Sequence, residues 1–208
     1  MTTTFKEIKK CINCGTKNEV NIIGSTSVFG ASDFDLRPAP LKRGTLMFEI
    51  QRCKKCNYAS YDLEKKEIFD KSILKSEDYL NILNNPNYPE LAKSFMLASL
   101  IKEKEKDYQR AANNLLKACW VLDDCDIDAK EKRIKAAELF LKQEDINDTY
   151  LILISDLYRR ASLFEKALEL INKAIKKDLA SPLDEVALKE KKLIEKHDDL
   201  CHRIDEKI

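Results

Sequence analysis

Two Cys-x-x-Cys pairs, Cys11-Ile12-Asn13-Cys14 and Cys53-Lys54-Lys55-Cys56, have 38 residues between them in a chain of 208. No other feature constrains the fold as strongly. Each pair puts two sulfurs on the same side of a tight bend. Two such bends, brought together by strands, supply the four thiolates that a tetrahedral zinc ion takes at roughly 2.3 Å. The residue after each pair is Gly15 or Asn57, the types that most readily adopt φ > 0. A left-handed residue there curls the turn until backbone N–H groups face the sulfurs and disperse the thiolate charge. The alternatives are a chance pairing or a redox dithiol. A thioredoxin-like site needs a βαβ surround, and one pair would suffice. Met1 to Lys6 lack the apolar stretch of a secretion signal, which argues against structural disulfides and predicts a cytoplasmic protein. Cys11, Cys14, Cys53 and Cys56 are therefore the expected ligands of a structural zinc. Four cysteines close the coordination sphere and leave no position for water. His197 and His202 are remote in sequence. In so small a head the metal is expected to supply much of the folding energy, on the order of 10–16 kcal/mol of apparent binding.

The stretches around the pairs read as strands. Val20 to Val28 and Thr45 to Gln51 are rich in β-branched and aromatic residues with partial alternation, and Tyr58 to Tyr61 can begin a third. Knuckle, strands, knuckle is a zinc-ribbon layout. Between the pairs, Asp33, Asp35 and Arg37, with Arg43 and Arg52 nearby in sequence, form the main polar cluster of the head. They are a candidate binding loop. The competing reading is a solvated loop with internal salt bridges.

Three stretches taken together carry a resemblance. Cys11-x-x-Cys14-Gly15, then Phe29-Gly30-Ala31-x-Asp33-x-Asp35-x-Arg37-Pro38, then Gln51-Arg52-Cys53-x-x-Cys56-x-Tyr58 resemble an uncharacterised bacterial family, domain of unknown function 2225. The likeness covers roughly the first 62 residues. It implies a zinc-ribbon-like head followed by a helical tail with tetratricopeptide-like repeats, and it implies no reaction or substrate. The second knuckle departs slightly at Lys55 and Asn57, with the cysteine spacing intact.

The four glycines are Gly15, Gly24, Gly30 and Gly44, and none follows in the remaining 164 residues. That excludes a glycine-rich phosphate loop in the tail and predicts helix there. Ser76 reads as the cap of a short helix running to about Leu83, and the Asn-Pro-rich stretch 84–89 as a turn. Asp107 can cap a helix whose faces carry Ala111, Leu115, Ala118 and Leu122. Tyr108, Ala111, Leu115 and Ala118 share their spacing with Phe164, Ala167, Ile171 and Ala174, 56 residues later, so the array is irregular. An extra helix over about Ala129 to Lys142 fills the gap. Ser162-Leu163-Phe164-Glu165 has the form of a capping box, and Ser181-Pro182-x-Asp184 opens the last helix.

The expected class is thus α+β, mostly α: a small zinc-ribbon-like β head over 1–63, a connection with short helices over 64–89, and antiparallel α-hairpins resembling tetratricopeptide repeats over 90–208. Formal charge is +1, with no strong pull toward nucleic acid or acidic membranes. Apolar runs of five residues, Ala118 to Leu122 and Tyr150 to Ile154, are far short of a bilayer span. The expected function is a non-enzymatic zinc-binding scaffold that takes a protein partner through the tail or the head loop. Two alternatives stay open: a nucleic-acid-binding zinc ribbon using basic residues of the head, and a thiol/zinc redox sensor.

Overall fold

The computed structural model describes residues 2–65, 69–177 and 179–208. By contact these fall into two compact units. One joins the segments up to Phe29 and Pro40–Ile127, and the other joins Gly30–Ala39 to Asp128–Ile208. The expected class, α+β and mostly α, is the one observed.

In the first unit, β1 (Thr2–Lys10) and β2 (Lys17–Thr26) pair antiparallel around the first cysteine knuckle. Their side chains are mostly exposed, so cross-strand polar pairs hold the ribbon. Thr2 and Thr26 hydroxyls meet at 2.9 Å, Thr3 and Ser25 at 2.8 Å, and Lys6 donates to Glu19 at 2.8 Å. The register slips between Thr3 and Thr4, where Gly24 is the extra residue. A Cβ at Gly24 would lie 3.1 Å from the Thr3 hydroxyl and 3.3 Å from the Phe5 ring, so a larger residue in the bulge would have to push these two side chains aside by a few tenths of an ångström. A short helix α1 (Pro40–Arg43) follows. The second knuckle joins β3 (Gln51–Arg52) to β4 (Ala59–Ser60).

The expected strand over Thr45 to Gln51 is largely absent. Leu46–Phe48 forms a 3-10 turn, and only Gln51 is in a strand. Leu46 and Ile50 are both buried, four residues apart, a spacing that a helical turn places on one face and a strand also allows. The Thr45 hydroxyl donates to the Lys42 carbonyl at 2.7 Å, a local bond that competes with strand pairing.

Helix α2 (Glu77–Asn84) starts at Ser76, whose hydroxyl accepts from the Tyr79 N–H at 3.3 Å. Helices α3 (Glu90–Lys104) and α4 (Tyr108–Asp123) form a hairpin, with the Asp107 carboxylate capping the second. Phe95, Leu97 and Ile101 of α3 and Ala111, Leu115 and Leu122 of α4 supply its core. The second unit holds α5 (Lys130–Leu141), α6 (Asp148–Arg160), α7 (Phe164–Ile175) and α8 (Leu183–Glu195).

The 56-residue spacing seen in the sequence has an atomic counterpart. Ser99 donates to the Ala111 carbonyl at 2.7 Å across the α3–α4 hairpin, and Ser155 to the Ala167 carbonyl at 2.9 Å across α6–α7. The turns match as well. Lys106 (φ 62°) and Ser162 (φ 61°) are left-handed, and the next N–H closes back on Lys102 at 2.9 Å and on Tyr158 at 2.8 Å. Asp126 and His197 end α4 and α8 in the same manner. Each is a Schellman ending, a position that glycine usually fills at C′. The glycine-free tail makes them with Lys106, Asp126, Ser162 and His197. The capping box expected at Ser162 does not form. The Ser162 backbone is committed to the turn, and its hydroxyl bonds Asp199 at 2.7 Å and Lys130 at 2.6 Å.

Candidate metal centre

The two knuckles are built alike. In the first, Gly15 N–H donates to the Cys11 carbonyl at 2.8 Å and Cys11 N–H to Thr16 at 2.9 Å. In the second, Asn57 N–H donates to Cys53 and Cys53 N–H to Tyr58, both at 2.9 Å. Gly15 (φ 73°) and Asn57 (φ 59°) are both left-handed, as their residue types suggest.

The two turns bring four sulfurs together. Cys11 Sγ lies 3.7 Å from Cys56 Sγ, and Cys14 Sγ lies 3.5 Å from Cys53 Sγ. All four lie within 4.8 Å of one another. Sulfurs at ~2.3 Å from a shared tetrahedral ion stand ~3.8 Å apart, close to the spacings seen. A disulfide would require ~2.05 Å, and all four thiols are free. The four cysteines form a candidate metal site. No family model, curated protein or solved structure matches this chain. The geometry therefore carries the reading by itself.

Donors are aimed at the sulfurs. Backbone N–H groups of Cys14 and Asn13 serve Cys11, the Thr16 N–H serves Cys14, whose thiol donates to the Thr16 hydroxyl, and the Tyr58 N–H and Asn13 side chain serve Cys56. Burial pushes the Cys11 thiol up to about 12 and raises Cys56 as well. The Thr16 hydroxyl, 3.3 Å from Cys14 Sγ, leads in lowering Cys14 to about 6. Cys11 and Cys53 are almost fully buried and Cys14 and Cys56 half-buried. A buried thiol with a raised pKa keeps its proton unless a cation replaces it, so metal binding here would release protons.

Asn18, which sequence reasoning passed over, ties the knuckles together. It is 4% exposed. Its Nδ2 donates to the Thr16 carbonyl at 2.8 Å and to Cys53 Sγ at 3.6 Å, while its Oδ1 accepts from Lys54 N–H at 3.0 Å. A lone Asn on an exposed ribbon gives no sequence signal of this role. Tyr79 is a second such residue. It reaches from α2 to donate its hydroxyl to the Asn57 carbonyl at 2.8 Å, and burial raises its pKa. Ile12 N–H donates to the Leu63 carbonyl at 2.9 Å, and Leu63 N–H to Gln51 Oε1 at 3.0 Å, so the 62–64 segment braces both knuckles.

The residues of the expected binding loop are divided between the two units. Arg43 ends α1 and Arg52 sits in β3, paired with Glu90. Hydrogen bonds from Arg52 and Lys93 hold Glu90 down at about 2. Asp33, Asp35 and Arg37 belong to the second unit and are buried there, so the loop is not solvated, although Asp35 does cap its own turn. Asp35 pairs with Arg160 at 2.8 Å and accepts from Arg37 N–H at 3.1 Å. Phe34 N–H donates to His202 at 3.1 Å, and Ile204 N–H to Ser32 at 3.0 Å. The insert is stitched to the C-terminal segment, partners too distant in sequence for composition to reveal. Burial, then the nearby Asp156 charge, pushes Asp35 up to about 6.

Proposed function

We propose that this chain is a zinc-binding interaction protein, in which Cys11, Cys14, Cys53 and Cys56 hold a structural zinc and the helical tail presents a surface for a protein partner. The observation that carries the reading is the grouping of four sulfurs within 4.8 Å by two knuckles of matching geometry. An all-thiolate donor set suits zinc, and four protein ligands fill its tetrahedron. Bound there, the ion supplies a crosslink and no open coordination position. The hydrogen bonds from Asn13, Thr16, Asn18 and Tyr58 spread the thiolate charge.

The helical part supports the interaction side of the reading. Two α-hairpins share turn geometry and a Ser-to-carbonyl bond at a 56-residue offset, as in tetratricopeptide-like units, whose stacked helices commonly bind peptides or partner helices. Membership of the family named domain of unknown function 2225 is part of the same proposal. So is a reducing cytoplasmic setting, in which free thiols persist. Among the described residues no helix is long and apolar enough to cross a membrane.

The test is affinity capture from the native cell with the zinc-loaded full chain, followed by crosslinking and mass spectrometry. A stable protein contact mapping to the hairpins or the head supports the proposal. Recovery of nucleic acid in place of protein, lost at raised salt, would replace it with the zinc-ribbon nucleic-acid reading.

A further inference from the structure

A cleft of about 140 Å³ lies within the first unit, lined by residues of β4, the turn after it and the α3–α4 hairpin. Ser60, Asp62, Lys65, Lys102, Arg110 and Asn114 are its polar walls. Asn114 makes it more than a surface dent. It is 1% exposed, and neither its Oδ1 nor its Nδ2 meets a hydrogen-bond partner among the described residues. A buried amide left unpaired in the middle of a helix costs stability. Its chemistry calls for a partner that both donates and accepts.

The remaining walls favour an anion. Of the lining residues three are cations, Lys65, Lys102 and Arg110, and one, Asp62, is a carboxylate. Lys102 pairs with Glu105 at 2.9 Å and Arg110 with Asp107 at 3.3 Å. The Arg110 side chain is 55% exposed, so that pair is a weak surface contact which a better-placed carboxylate can displace.

We propose that this cleft binds a carboxylate joined to a neighbouring amide, the chemistry shared by the C-terminus of a polypeptide and by a free N-acyl amino acid. Asn114 takes both the N–H and the C=O of the amide. Lys102 and the Arg110 fork take the carboxylate. The space is comparable with a cavity of about 150 Å³ that admits a benzene-sized molecule, and a carboxylate, one carbon and an amide are of that size. The polypeptide form of this proposal rests on the interaction reading above, and the small-molecule form does not.

The experiment uses the metal-loaded full chain with amide signals followed by NMR. N-acetylglycine is titrated against N-acetylglycinamide, which lacks the carboxylate, and against acetate, which lacks the amide. The expected result is a saturable shift of the Asn114 side-chain amide with N-acetylglycine, and binding at least about tenfold weaker for the other two. Asn114→Leu is expected to keep the spectrum of a folded chain and lose the binding, and Arg110→Gln to weaken it and reduce its salt dependence. A peptide with a free C-terminus that binds tighter than N-acetylglycine, and loses that gain when amidated, assigns the polypeptide source. Equal affinity assigns the free acid. No saturable shift, equal binding of N-acetylglycinamide, or binding that survives Asn114→Leu would overturn the proposal and leave the amide to ordered water. If affinity capture finds no protein while N-acetylglycine still binds, the interaction reading fails and this site stands.

Discussion

Asn18 donates to Cys53 across the gap between the two knuckles, with Nδ2 3.6 Å from Sγ, and the same side chain accepts from the Lys54 N–H. One amide thus links two sulfur pairs that have 38 residues between them in the chain.

Asn18→Ala should therefore loosen the metal site without removing a ligand. Residues that orient metal ligands typically cost 10–100-fold in affinity when lost, and a drop in that range is expected here. Competition against a chromophoric chelator measures it. An unchanged affinity would reduce Asn18 to a strand residue.

The left-handed residues predict an asymmetry between the knuckles. Gly15→Ala places a Cβ at φ 73°, which costs roughly 1–2 kcal/mol for an L-residue, and should lower the thermal midpoint of the metal-loaded chain. Asn57→Gly at φ 59° should leave it equal or higher. Equal losses in both variants would contradict this account of the turns.

The glycine-free tail offers a stabilising change. Lys106 has φ 62° at the end of α3, and Lys106→Gly should raise stability by about 1 kcal/mol by relieving the left-handed backbone. Chemical denaturation gives the value. Destabilisation would mean that the lysine side chain outweighs its backbone cost.

The buried charges of the second unit predict a pH slope. Arg159 bonds Glu190 at 2.9 Å and also pairs with Asp156, all three fully buried. Burial, then the Asp156 charge, raises Glu190 from 4.5 to about 8. The folded chain therefore holds this proton more tightly than the unfolded chain, and the group's contribution to stability falls as pH rises from ~4.5 toward ~8. Asp35 acts in the same direction between 3.8 and about 6. Urea titrations across this range should show Glu190→Gln with a flatter slope than the parent chain. Identical slopes would exclude Glu190 as the source.

Local chemistry was the legible part of the sequence. The knuckles, the positive φ at Gly15 and Asn57, the caps at Ser76 and Asp107 and the offset of 56 residues are short-range patterns, and each reappears in the structure. What escaped depends on distant partners. Thr45 to Gln51 is a local exception: it has strand-like composition, yet Leu46–Phe48 is a 3-10 turn beside the Thr45 hydroxyl bond to the Lys42 carbonyl. Ser162 has the sequence of a cap and instead serves Lys130 and Asp199. Asp33, Asp35 and Arg37 look like a polar loop until Arg160 and residues 202–204 bury them. Asn18 and Asn114 are unremarkable in sequence, because an amide's role is decided by what packs around it.

The central claim, that two knuckles share one ion, is tested most directly by elemental analysis with native mass spectrometry of the purified full chain. The account predicts one zinc per chain, lost in Cys53→Ser together with the protection of the remaining thiols against a thiol-reactive dye. A folded chain that carries no metal and whose four knuckle thiols react freely would contradict it.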